Sequence, residues 1–215
     1  ITNMEKLGID LETVDMVVFS HIHSDHTGGA MWFWRQHSNV TVYIPESWPE
    51  IFRNVIKKSV VKCIETREPV EVCDSVYLTE DLPSTFGGGT GTVFGVFGSI
   101  AETREQALAI KTDKGLVIIT GCAHPGVVEI VKRAKEITRE ENVLLLIGGF
   151  HLLDKSEQQI KDIISKLKNE NVKKVSPTHC TGDPAIALFK AEYGDDFISA
   201  GVGREIIIED AFPMT

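Results

Sequence analysis

"FSHIHSDHTGG", residues 19–29, decides how this chain is read. Three histidines (His21, His23, His26) and Asp25 fall within six positions, directly after the apolar run Val14–Phe19. Titratable side chains at the end of a buried strand destabilise a fold when nothing pairs them, so their clustering needs a chemical reason. His21 and His23, two apart on an extended segment, point to the same side and can share one cation. Asp25 and His26 follow where the chain turns and project differently, which suits a second cation nearby. Thr27, Gly28 and Gly29 then let the backbone bend into a helix starting near Ala30. Neutral imidazoles with one carboxylate favour Zn²⁺, Fe or Mn²⁺ over the oxygen-seeking Ca²⁺.

The same arrangement recurs downstream. Buried strands end in small-residue turns that each hold one histidine: "LVIITGCAH" at His124, "VLLLIGGFH" at His151 and "VSPTH" at His179. Strand ends on one edge of a sheet converge, so separate segments can deliver imidazoles to one cleft. Six of the seven histidines lie in these motifs; His37, at the end of an exposed-looking helix, reads as incidental. Cys63, Cys73, Cys122 and Cys180 form no CxxC pair and read as free thiols, and Cys122 and Cys180 each sit within two residues of a histidine.

Around these motifs the sequence predicts one folding unit over residues 1–215, with no repeat, low-complexity tract or linker. Strands are expected over Val14–Ser20, Val40–Ile44, Ala107–Ile110, Leu116–Thr120, Val143–Ile147, Lys173–Ser176 and Ile206–Glu209. Helices are expected over Ala30–His37, from Pro45 to about Val55, over Val127–Glu140, after a Ser156 cap, and over Pro184–Tyr193. Val60–Ile100 reads as an antiparallel meander ending in a Gly-rich loop, "FGGGTGTVFG". A net charge of −9 leaves no basic excess to neutralise a phosphate backbone, which argues against nucleic acid. No apolar run approaches the ~20 residues of a membrane span, and no basic segment leads into an apolar one, so a cytoplasmic protein without membrane contact is expected.

"HIHSDHTGG" resembles the HxHxDH signature of the metallo-β-lactamase superfamily. Together with "EQALAIKTDKGLVIITGCAHPGVVEIV", "LLLIGGFHLL" and "SPTHCTGDPAIALFKAEYGDDF", the chain resembles the subgroup of 7,8-dihydropterin-6-methyl-4-(β-D-ribofuranosyl)aminobenzene 5′-phosphate synthase-like proteins. The resemblance implies a mixed α/β (α+β) fold, an αββα four-layer sandwich, with two divalent metal ions at one edge of the sheets. Zinc comes first, with iron, manganese and magnesium as alternatives. His21, His23 and His124 resemble the ligands of one metal; Asp25, His26 and His179 resemble those of the other. Many members have a bridging aspartate in a "TGD" turn where this chain has Thr120, Gly121 and Cys122. His124 then either takes the bridge or serves one metal, and His151 is a further histidine with a metal, supporting or substrate role. Members also carry strands before the HxHxDH motif, so residues 1–215 are expected to lack N-terminal strands of the fold.

The implied chemistry has Asp25 and His151 as catalytic candidates, Asp25 doubling as ligand and proton acceptor. In the synthase-like subgroup a diphosphate leaving group departs while an aminobenzene attacks a pterin methyl, in methanopterin biosynthesis. The alternatives are a metal-dependent hydrolase of a phosphodiester, lactone or thioester, and a metal-stabilised binding protein without turnover. The partner expected is a small phosphorylated molecule, with homo-oligomerisation open. Arg204 in "GVGREI" and Gly88 in "FGGGTG" are the weaker substrate-contact candidates; the latter lacks the Lys-Ser/Thr of a phosphate loop. Trp32 and Trp34 either wall a planar substrate or belong to the core.

Overall fold

The computed structural model describes residues 2–93 and 96–208, with the backbone alone at 85–93 and 96–102. The helices are α1 (Thr2–Lys6), α2 (Ser24–Thr27), α3 (Ala30–Gln36), α4 (Glu50–Ser59), α5 (Val127–Thr138), α6 (Glu157–Asn169) and α7 (Asp183–Tyr193). The strands are β1 (Met16–Val18), β2 (Thr41–Pro45), β3 (Lys62–Thr66), β4 (Val70–Cys73), β5 (Val76–Leu78), β6 (Leu82–Val93), β7 (Val96–Glu105), β8 (Leu108–Thr112), β9 (Gly115–Thr120), β10 (Val143–Gly149) and β11 (Val172–Thr178). Backbone contacts divide them into two compact units, Ile1–Glu68 with Glu80–Gln106, and Pro69–Thr79 with Ala107–Thr215.

The first unit holds a parallel sheet in the order β1-β2-β3 and the two-stranded hairpin β6-β7. Its parallel pairs require crossovers, and α2 with α3 and then α4 supply them. Val42 and Ile44 of β2 are fully buried beneath Phe52 and Ile56 of α4, which fall four apart on one helix face, with Phe19, Trp34 and Trp48 completing the core. Phe19 and Trp34 meet edge to face at 6.0 Å. The strand end ahead of the histidines is pinned twice by Gln106: its side-chain amide donates to the Phe19 carbonyl at 2.8 Å, and its backbone N–H donates to Ser20 at 2.9 Å. Those bonds satisfy two successive backbone carbonyls just past the end of β1.

The second unit holds a six-stranded sheet in the order β11-β10-β9-β8-β5-β4. β9, β10 and β11 run parallel, while β8, β5 and β4 pair antiparallel. α5 and α6 make the crossovers, burying Ile130, Val131 and Ala134, and Ile160, Ile164 and Leu167 respectively. Ser156 caps α6, as the sequence predicts, and the structure completes the cap as a capping box with Gln159. Among the described residues no helix is long and apolar enough to cross a membrane.

Several elements differ from the sequence expectation. The run Val14–Ser20 narrows to the three residues of β1, because the chain leaves the sheet to present the histidines. Pro45 ends β2, and Pro49 precedes α4 instead. The expected meander is three separate pieces: β3 joins the parallel sheet, β4 and β5 edge the six-stranded sheet, and β6 pairs with β7. Of the glycines expected as a loop, Gly87, Gly88, Gly89 and Gly91 lie in β6, with Gly87 opposite Glu102 and Gly89 opposite Ile100, and Gly95 lies outside the described residues. Gly88 falls in that strand, within the segment where side chains lie outside the described residues. Residues 206–208 form no strand, and Glu209 lies outside the described residues. His37 is buried rather than exposed, its ring Nε2 donating to the Val14 carbonyl at 3.0 Å.

Candidate metal centre

In the first unit, β1 delivers the chain to Ser20, and the pinned backbone carries His21 and His23 before α2 begins. His23 is the residue ahead of α2, still extended at φ −58° and ψ 146°, so Asp25 and His26 fall in the first turn of a short helix. The three imidazoles converge. The His21 ring centroid lies 4.7 Å from that of His23 and 4.1 Å from that of His26. An Asp25 carboxylate oxygen is 3.4 Å from His26 Nε2. Gly28 has ordinary helical angles; a Cβ there would lie 2.7 Å from the Ser24 carbonyl, so its value is close approach and not an unusual turn. The Thr27 hydroxyl donates to the His23 carbonyl at 3.1 Å and ties the turn to the histidine.

Two partners of these histidines come from β7. Thr103 Oγ1 lies 3.2 Å from His23 Nε2, and Glu105, fully buried, brings a carboxylate oxygen 3.9 Å from Nδ1 of the equally buried His21. Ser20 Oγ is closer to the same nitrogen, at 3.0 Å. Residues two apart on a strand share a face, so β7 presents Thr103 and Glu105 together. A buried carboxylate beside a ligand histidine fixes its ring and tautomer. Sequence reasoning missed Glu105; the signal available was an acidic residue set three positions before the apolar strand "LAI". Beside His26 opens a cavity of about 330 Å³ lined by Met4, Val14, Val17, Phe33 and Trp34. Trp34 therefore borders both core and cavity, while Trp32 is exposed with the Arg35 guanidinium 5.0 Å over its ring.

In the second unit, the C-terminal ends of β9, β10 and β11 stand side by side and carry His124, His151 and His179. The His124 and His151 rings are 4.6 Å apart. Cys122, His151 and Cys180 bring three potential ligand atoms within 4.8 Å of one another. The Cys180 thiol is pulled down to about 6, most strongly by its hydrogen bond with Cys122 and further by His151, against the opposing effect of burial. Arg204 is exposed, after a turn closed by its N–H on the Gly201 carbonyl.

The donor set fits a divalent transition metal: several imidazoles and a carboxylate, with a buried acid oriented toward one ring. Residues 2–95 match the family model of the metallo-beta-lactamase superfamily. Over 95% of its length the chain is 31% identical to the 7,8-dihydropterin-6-methyl-4-(beta-D-ribofuranosyl)-aminobenzene-5′-phosphate synthase of Methanocaldococcus jannaschii, covering 79% of that protein. The chain belongs to the metallo-β-lactamase superfamily. Superposition agrees: Tm1679, described as a metal-dependent hydrolase of the β-lactamase superfamily, matches with a TM-score of 0.77 and 26% identity, covering 97% of this chain and 84% of that one. The isothiocyanate hydrolase from Delia radicum gut bacteria matches at 0.53 with 12% identity, covering 93% and 79%, a likeness of fold alone. The mixed α/β metallo-β-lactamase fold expected from the sequence is thus the fold of this chain, and "HIHSDH" lies within the matched span.

Proposed function

We propose that the chain is a metal-dependent enzyme acting on a small phosphorylated substrate, with a synthase-type transfer as the reaction. The observation that carries this reading is the convergence of His21, His23 and His26 beside Asp25, on a chain 31% identical to the pterin-linked synthase. In this proposal His21, His23 and His124 hold one cation and Asp25, His26 and His179 hold the second. A pair of divalent cations supplies Lewis acidity, drawing charge from a phosphoryl or carbonyl oxygen and lowering the pKa of water from ~16 to about 7. Glu105 and Ser20 hold the His21 ring in one orientation, and Thr103 does the same for His23. Asp25 orients the attacking group and accepts its proton. The apolar cavity beside His26 supports a substrate with a flat ring, the ring packing against Trp34 and Phe33 while its phosphorylated end faces the histidines. The reaction proposed joins a dihydropterin bearing a diphosphate leaving group to the aminobenzene ribotide, with loss of diphosphate.

The hydrolase reading has one observation in its favour, the match to Tm1679. Incubation of the zinc-loaded protein with the dihydropterin diphosphate and the aminobenzene ribotide separates the two. Condensed product with stoichiometric diphosphate is expected. Steady cleavage of phosphodiester, lactone or thioester probes, with no condensed product, would favour the hydrolase.

A further inference from the structure

The first unit carries another cavity, of about 350 Å³, lined by Glu46, Ser47, Arg53, Arg67, Asp81 and Arg104. It lies on the face of β7 turned away from the histidines. Side chains alternate along a strand, and Thr103 and Glu105 approach His23 and His21, so Arg104 between them points the other way, where its Nε donates to the Asp81 carbonyl at 3.1 Å. Hydrogen bonds tie the walls together. The Glu46 N–H donates to the Thr66 carbonyl at 2.9 Å, the Asp81 N–H to the Arg67 carbonyl at 3.4 Å, and the Ser47 N–H to the Asp81 carboxylate at 3.0 Å. Three guanidiniums line the cavity against two carboxylates, a local basic excess on a chain of net charge −9. Asp81, 4% exposed, is already engaged by the Ser47 N–H and by Arg104 at 3.6 Å. Two arginines keep donors to spare. Arg53 pairs with Glu65 through a terminal nitrogen, while its buried Nε–H has no acceptor among the described residues. Arg67 stands 3.8 Å from the Glu46 carboxylate, longer than a hydrogen bond.

We infer that this cavity binds a phosphate dianion, free or at the end of a small ester, through Arg53 and Arg67, at a site separate from the metal ligands of the proposed function. A guanidinium offers planar, paired donors that match phosphate oxygens two at a time, and a tetrahedral anion has enough oxygens for more than one such fork. Arg104 offsets the charge of Asp81, so the anion meets no unbalanced carboxylate on that wall. The bonds that already hold residues 46–47, 66–67 and 81 in place reduce the ordering that binding would otherwise cost. The volume exceeds that of the ion alone and leaves room for a few carbons and hydroxyls beyond it.

Calorimetric titration of the zinc-loaded full chain with inorganic phosphate and with glycerol 3-phosphate tests this. The metals can themselves take phosphate, so variants read the two sites apart. Arg67→Ala and Arg53→Lys, the second keeping the charge but losing the fork, should each weaken one binding component about tenfold or more with zinc content unchanged. His26→Ala should keep that component while losing the proposed enzyme activity. Tighter binding of glycerol 3-phosphate assigns the site to an ester, and equal or weaker binding assigns it to the free ion. Should Arg53→Lys loosen α4, Arg67→Ala decides alone, because its side chain is 78% exposed. No phosphate binding, binding unaltered in a folded arginine variant, or binding that disappears in His26→Ala overturns the inference.

Discussion

Gly149 illustrates how little room the strand ends leave. A methyl group there would lie 2.5 Å from the Gly121 carbonyl oxygen as well as against Cys180, and backbone cannot move aside as a flexible side chain can. Gly149→Ala is therefore expected to destabilise the protein by about 1–3 kcal/mol, as overpacking does, measurable as a lowered urea midpoint. Nothing in "IGGFH" distinguishes this glycine from Gly148, whose need is conformational as well as steric, at φ +129° with a Cβ 2.2 Å from the Thr120 carbonyl oxygen. His37 teaches the converse. The sequence offers it as a surface histidine, but it seals the end of α3 through the Val14 carbonyl, with Glu12 3.3 Å from its other ring nitrogen. His37→Ala is expected to cost about 1 kcal/mol in equilibrium unfolding, the worth of one hydrogen bond, while leaving metal content unchanged.

Among the elements, the pairing of α4 with β3 rests on charge as well as on Phe52 and Ile56. Glu65 on β3 forms ion pairs with Arg53 and Lys57, four apart on α4. Burial pushes the Glu65 carboxyl upward, but Lys57 and Arg53 outweigh it and hold it below its ordinary 4.5. A carboxylate whose pKa is depressed by folding stabilises the native state above its unfolded pKa, and that stabilisation fades as pH falls through the folded value. Replacement by an uncharged isostere, Glu65→Gln, should thus lower stability at neutral pH by about 1 kcal/mol and flatten the loss of stability below pH ~4.5, read by thermal melts across pH. α6 was legible outright: Ser156 and the i, i+3, i+4, i+7 apolar spacing encode its start and its buried face locally. The Gly-rich stretch was not. Its glycines carry no side-chain pattern, and strand pairing depends on a partner segment that local sequence does not specify.

For the whole molecule, the proposed metals should couple folding to ligand charge. Exhaustive chelation is expected to abolish turnover and lower the melting temperature, both restored by Zn²⁺, because a cation that binds only the native state stabilises it by mass action. Asp25→Ala and His26→Ala should each remove one metal equivalent by elemental analysis with the fold near intact; full metal content in both would break the two-site assignment. The sequence by itself determined the family, the strand–histidine alternation and the convergence of His21 with His23, because those follow from local periodicity and a spacing of two on an extended chain. It also flagged Cys122 and Cys180 by their place beside histidines. Only the tertiary structure decided that Glu105 from β7 faces His21, that Gln106 anchors the strand end, and that His151 joins two thiols across three strands. Those contacts link residues about thirty to ninety positions apart in the chain, where no local propensity acts and only strand order and register bring atoms together.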